Sequence, residues 1–392
     1  MNYYKKSAYD KKDYRSYLFS GEWIRYYIDD IAKRAVQTKE DLFDVFLKGE
    51  LYQKEHLPMT LYKFFPFNQN SLKCIENGGV YLNSPSNFND PFDCLIQTNP
   101  QEFQKRYFLE KIAEYDLLGK KVIDEDDYRK IINSVCYDKT SKHRFYFKEE
   151  FSSALIHIEQ RNNFLDILSK IQMEGNKCLK KGLKELKKNE MRVTSFSNFD
   201  IWKWSACLEM WGHYADSHKG FCVEYDLTDF IDRFEKGESN REETAIMSCM
   251  FPCLYKSKPK YIAPLIFYKF AKGNKLSKYQ YVNLQKDIMY SYLYKSSSWS
   301  YENEWRIILP KSYSALWSHL IPFPYAKRIY LGVNMPTDDK EYMYRVGEKL
   351  GLEIYDSYLD DYKYEINFVN INVKQYFDEQ EYQRKRKLDK LM

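Results

Sequence analysis

Along the chain the spacing of hydrophobic positions changes several times, and each change predicts an element. Between Tyr14 and about His56, Leu18, Trp23, Ile24, Tyr27, Ile28 and Ile31 recur mostly at three and four, followed by Leu42, Phe43, Val45 and Phe46, which predicts two amphipathic helices. Leu61 to Phe65 reads as a short strand ended by Pro66, Asn70 to Glu76 as a helix stopped by Asn77-Gly78-Gly79, and Val80 to Ser84 as a strand entering the turn Pro85 to Asp93. Val193-Thr194-Ser195-Phe196-Ser197 alternates, so Ser195 and Ser197 share one face of a strand. Ile201 to Tyr214 carries Trp202, Trp204, Trp211, His213 and Tyr214 at helical spacing, and the Lys219-Gly220 turn leads into the alternating strand Phe221 to Tyr225. Leu227 to Lys236 is a helix. Trp299 to Leu309 is a loop entering an apolar strand, Arg328 to Val333 another strand, Thr337 to Leu350 a helix and Leu352 to Tyr355 one more strand.

Strands and helices interleave irregularly, which predicts an α+β class with a mixed, mostly antiparallel sheet. We expect an N-terminal helical segment over 1–58 and a core over 59–370, with helical insertions at about 101–190 and 227–295. A charged tail over 371–392, containing Arg384-Lys385-Arg386-Lys387, follows. The chain has 392 residues, enough to bury a substantial core, and 18% of them are aromatic, including 37 Tyr, which excludes a disordered chain. Sixty-one Lys and Arg against 56 Asp and Glu give a net charge of only +5, too little to imply nucleic-acid binding by itself. Locally the balance differs: Tyr255 to Lys295 holds nine lysines and one acid, Asp287, with tyrosines interleaved, a pattern that suits a phosphate backbone with stacked bases. The charged N-terminus and the lack of any run near about 20 apolar residues predict a cytoplasmic protein that does not engage a membrane. The eight cysteines form no CxxC pair and are expected as free buried thiols.

Three separated places combine polar residues with strand context: Lys63, Ser195 with Ser197, and Glu302 with Glu304. Their order resembles that of ADP-ribosyltransferases, in which a basic residue on an early strand, a Ser-x-Ser strand and a Glu-x-Glu turn assemble one site for NAD. Cleaving the bond between nicotinamide and ribose builds oxocarbenium-like positive charge, which a carboxylate stabilises. The resemblance implies an ADP-ribosyltransferase-like core with NAD as substrate. Glu304 would be the catalytic carboxylate and Glu302 would orient or deprotonate the acceptor. Ser195 and Ser197 would brace the site, Lys63 would contact phosphate or ribose, and Tyr62, Trp211, Tyr214 and His218 would line the pocket. A second reading has Asp90 and Asp93 meeting Glu302 or Glu304 to hold Mg²⁺ in a metal-dependent nuclease. A third has the same cluster recognising a phage component without catalysis.

The chain also resembles the bacterial domain of unknown function 2971 family. The resemblance rests on Leu61-Tyr62-Lys63-Phe64, on Val80 to Leu82 through Phe88-Asn89-Asp90-Pro91-Phe92-Asp93, on Ser195-Phe196-Ser197, on Met210 to Phe221 and on Tyr301-Glu302-Asn303-Glu304-Trp305-Arg306. It spans about Leu61 to Val333 and implies a phage-defence setting. The expected function is therefore that of a bacterial defence effector or toxin passing ADP-ribose from NAD to a nucleic acid or protein.

Overall fold

A computed structural model of the chain describes residues 23–48, 54–114, 135–138, 144–147, 161–188, 191–199, 201 and 208–389. Trp202 and Trp204, expected on a helix, lie outside these residues, as do 1–22 of the expected N-terminal helical segment. The strands are, in chain order, β1 (Thr60–Phe65), β2 (Gly79–Tyr81), β3 (Val135–Asp138), β4 (Arg144–Phe147), β5 (Met191–Ser197), β6 (Phe221–Asp226), β7 (Met250–Pro252), β8 (Leu254–Lys256), β9 (Tyr294–Ser296), β10 (Glu304–Pro310), β11 (Leu320–Pro322), β12 (Ala326–Leu331), β13 (Glu353–Leu359) and β14 (Ile366–Ile371). Eight of them form one sheet in the order β14-β13-β12-β6-β1-β5-β10-β7. Its pairings are antiparallel apart from the parallel pair β12 and β13. The class is thus a mixed α and β fold around a large, mostly antiparallel sheet.

The main core forms where helices cover the sheet. In the helix Trp23–Thr38 the buried side chains Trp23, Ile24, Ile28, Ile31, Ala32 and Ala35 follow helical spacing. That stripe packs on the helix Lys278–Leu293, and Trp23 reaches the ring of Trp305 at 6.5 Å. A second, smaller core on the sheet gathers Tyr62, Phe64, Met210, Trp211, Cys222 and Tyr330. Strand alternation explains the division, since Tyr62 and Phe64 belong to the small core while Leu61 and Phe65 belong to the large one.

The expected insertion over 101–190 contains the helices Pro100–Glu114 and Arg161–Lys188, which pack on each other, and also the hairpin β3–β4. The expected helical insertion over 227–295 is not wholly helical, because β7 inside it pairs with β10 as the last strand of the main sheet. The segment from 371 onward is the helix Val373–Asp389, whose Val373, Tyr376 and Phe377 pack on the core. Among the described residues no helix is long and apolar enough to cross a membrane.

One junction in the sheet is incomplete. β1 pairs with β6 from Thr60↔Asp226 to Phe65↔Phe221, and β5 pairs with β10 from Met191↔Pro310 to Ser197↔Glu304, whereas β1 meets β5 only at Tyr62↔Ser197. Beyond that point the two strands diverge. Asn83, just after β2, takes the vacated edge of β5: its N–H donates to the Val193 carbonyl at 2.7 Å, and the Val193 N–H donates back at 3.0 Å. This substitution satisfies backbone groups that the split would otherwise leave unpaired.

Candidate functional site

A cleft of about 1000 Å³ threads this split, at the upper end of the size range for small-molecule and cofactor sites. Its lining includes Tyr62, Lys63, Ser195, Ser197, Tyr214, Glu302 and Glu304, so most of the residues singled out by the motif order meet in one place. Antiparallel register sets Tyr62, Ser197 and Glu304 side by side on three neighbouring strands. Lys63 points to the other face, near the rings of Phe65 (5.6 Å) and Phe196 (5.4 Å), and its ammonium donates to the Ser195 carbonyl at 2.8 Å. Because the lining draws on both faces, the opening between β1 and β5 is what lets them share a cleft.

The carboxylates of the Glu-x-Glu pair are buried in a network of five charged groups. Asn303 between them holds a left-handed conformation, φ 43°, where a short turn ends and β10 begins. Arg306, 0% exposed, uses all five donors: Nη1 and Nη2 grip Asp93 at 2.8 and 2.6 Å, Nε and Nη2 grip Glu304 at 2.7 and 3.0 Å, and Nη1 also bonds the Tyr292 carbonyl at 2.7 Å. Lys295 donates to Glu302, to Glu304 at 2.7 Å, and stands 3.7 Å from Asp93. With all groups ionised, three carboxylates face two cations and one negative charge remains on the cleft floor. The two glutamates differ accordingly. Burial raises the Glu302 carboxyl and the charge of Glu304 raises it further, against Lys295. Burial pushes Glu304 up too, but Arg306 and then Lys295 outweigh it and hold that carboxyl well below its usual range. Burial lowers Lys63 to about 8, against the smaller opposing pull of Cys74 and Glu304.

Arg306, which follows the Glu-x-Glu pair in sequence, is fully buried and organises the cluster. Lys295 was expected among the basic residues of 255–295, and no feature of its neighbourhood in sequence distinguishes it. In that segment, Lys260, Lys272, Lys278, Lys286 and Lys295 are all ion-paired, with Asp287, Glu110, Asp41, Asp29 and the site glutamates respectively. Tyr268, Tyr290 and Tyr292 are buried. Five of the nine lysines of the segment are thus held by acids and three of its eight tyrosines are turned into the core, so only part of it is presented as a basic, aromatic surface.

Two expected pocket residues stand elsewhere. Trp211 is buried edge-on against Phe64 at 5.1 Å, and His218 lies parallel to Trp211 at 6.3 Å, both behind the cleft. Asp216, Ser217 and His218 all have positive φ (46°, 53° and 69°), a left-handed turn that swings the chain into β6; a Cβ on Gly220 there would lie 2.0 Å from the Phe65 carbonyl oxygen. Tyr62 lines the cleft, stacks on Phe199 at 5.2 Å and turns its hydroxyl to the buried Glu224 at 3.5 Å, which Tyr330 and Arg328 also bind. Asp90 caps the Phe92 N–H at 2.8 Å and does not approach the cluster through any described contact. With Asp93 and Glu304 gripped by Arg306, the four acids do not form a cation cage, and among the described residues no group of three metal-binding side chains occurs.

The turn from Asn89 to Asp93 instead closes the network from the other side. Tyr214 donates to Glu302 Oε1 at 2.7 Å and shares the cleft lining with Asn89, while Asp93 holds Arg306. No curated protein and no solved structure gives a match to the chain. Residues 210–307, which carry Tyr214, Lys295, Glu302, Glu304 and Arg306 but not Lys63, Asp93 or Ser197, match the family described as a protein of unknown function (DUF2971), and this is the family the chain resembles.

Proposed function

We propose that the chain is an ADP-ribosyltransferase-like enzyme that cleaves NAD and passes ADP-ribose to a nucleic acid or protein, acting in the cytoplasm as a defence effector or toxin. The observation that carries the reading is the meeting, on adjacent strands at one split in the sheet, of Lys63, Ser197 and Glu304. The chemistry follows from the charges. A cleft floor with one uncompensated negative charge favours a ribosyl group that becomes positive as nicotinamide leaves, and a fixed charge costs no reorganisation at that moment. Ser197, buried beside Glu304 and opposite it in register, suits bracing the bound ribose. Lys63, whose ammonium donates to the Ser195 carbonyl and is ion-paired with no carboxylate among the described residues, suits an anionic part of the dinucleotide.

The test is incubation of the full chain with NAD labelled in the adenylate half, together with RNA, single-stranded DNA or protein extract, with and without Mg²⁺. Transfer of label in the wild type and its loss in Glu304→Gln support the proposal, and the arm that takes the label names the acceptor. Absence of nicotinamide release in every arm overturns it, and Mg²⁺-dependent strand cleavage without label would favour a nuclease.

A further inference from the structure

Glu302 is only 2% exposed, and each of its oxygens already accepts a hydrogen bond, Oε2 from Lys295 and Oε1 from Tyr214. Lys295 cannot pass a proton inward: burial would lower its pKa, but Glu304 first and Glu302 next hold it protonated. Tyr214 is different. It is half-buried and lines the cleft together with Asn89; burial raises the Tyr214 pKa, and the Asn89 side chain lowers it. The Asn89 Oδ1 accepts from the Asp90 N–H at 3.0 Å, and its amide NH₂ is the group able to donate toward a phenol oxygen.

We propose that Tyr214 is a further catalytic residue, relaying the proton of the attacking acceptor group to Glu302, with Asn89 as the positioning residue that fixes its hydroxyl. This rests on the transferase reading. In the step, a lone pair of the acceptor oxygen or nitrogen forms the bond to the ribose C1′. The bond from C1′ to the nicotinamide nitrogen breaks, and its electron pair neutralises the nicotinamide ring. The acceptor proton moves to the Tyr214 oxygen as the Tyr214 proton moves to Glu302 Oε1, from which it later exchanges with solvent. The division of labour between the glutamates fits: Glu302 has the raised proton affinity needed to receive, and Glu304 remains an anion under the developing charge.

The decisive measurement is the partition of cleaved NAD between acceptor and water, read as labelled acceptor over total nicotinamide released, as a function of pH. In Tyr214→Phe the partition should fall about 10²-fold, the lower range of a lost proton-transfer catalyst. The acid limb of the transfer rate should move to higher pH, because the Glu302 anion loses a donor. Asn89→Ala should move the same limb in the same direction by less, which a merely structural role would not do. Both variants are compared at matched melting temperature; if Tyr214→Phe does not fold, Asn89→Ala decides. An unchanged partition and unchanged acid limb, with the wild type transferring, overturn the relay alone. A wild type that releases no nicotinamide overturns the transferase reading and the relay with it.

Discussion

At the residue scale, Arg306 is a group whose removal costs the fold heavily. Burying a guanidinium is unfavourable unless every donor and an opposite charge are met, and here Asp93, Glu304 and the Tyr292 carbonyl meet all of them. Arg306→Met would leave three buried carboxylates facing only Lys295, and the expected loss is about 3–5 kcal/mol, measured as a drop in the urea midpoint. Arg306→Lys keeps the charge but cannot grip two carboxylates in parallel, so a substantial part of that loss should persist. Lys63 behaves in the opposite way. Its folded pKa, about 8, lies below the ordinary 10.5, so burial of the ammonium costs stability throughout the range below pH 8, and the cost is relieved between pH 8 and 10.5, where the unfolded chain binds more protons. The full shift corresponds to at most about 3 kcal/mol. Lys63→Met should therefore raise the melting temperature at pH 7, with the advantage shrinking as pH climbs past 8; an advantage that grows with pH would show that the ammonium is stabilised where it sits.

At the scale of elements, the turn into β10 depends on one backbone conformation. Asn303 at φ 43° lets the chain reverse between Glu302 and Glu304 so that both carboxylates reach Lys295. A β-branched side chain resists that region by roughly 1–2 kcal/mol, whereas glycine adopts it freely. Asn303→Val should lower the melting temperature and impair transfer together, and Asn303→Gly should leave the melting temperature nearly unchanged. The elements that place the site were legible because alternation is a local signal: β1, β5, β6 and the helix Thr337–Leu350 all occur where the hydrophobic spacing puts them. The order of Lys63, Ser197 and Glu304 was legible for the same reason. What was not legible is non-local. β7 is three residues long and its pairing with β10 has no signature of its own. Lys295 reads as one more basic residue of the 255–295 segment, because a sequence records a charge but not the carboxylates that surround it once it is buried. Likewise three lysines of 255–295 find their acids more than 150 residues away, Lys272 with Glu110, Lys278 with Asp41 and Lys286 with Asp29.

At the scale of the whole molecule, the sheet is opened at its centre and a net charge is kept in the opening, and both features trade stability for a site. Five strands lie on one side of the split and three on the other, joined at Tyr62↔Ser197, and β10 of the three-stranded part carries Glu304 and Arg306 of the five-membered cluster. Glu302 is the member in excess: without its charge, Asp93 and Glu304 balance Lys295 and Arg306. Its raised folded pKa means that the folded chain holds the proton more tightly than the unfolded one, so the Glu302 anion costs stability above the folded value and nothing below the ordinary 4.5. Glu304 has the reverse sign, contributing stability above 4.5 that is lost as pH falls toward its depressed folded value. Glu302→Gln, which keeps the shape and an acceptor for Lys295, should therefore abolish transfer yet melt at a higher temperature than the wild type at pH 7.5, and the two curves should converge as pH is lowered toward 4.5. Glu304→Gln should abolish transfer and melt lower at pH 7.5. Thermal denaturation of both variants across pH 4.5–8 checks the pair, and a Glu302→Gln variant less stable than the wild type at pH 7.5 would show that its anion is needed to balance the cluster rather than held there at a cost.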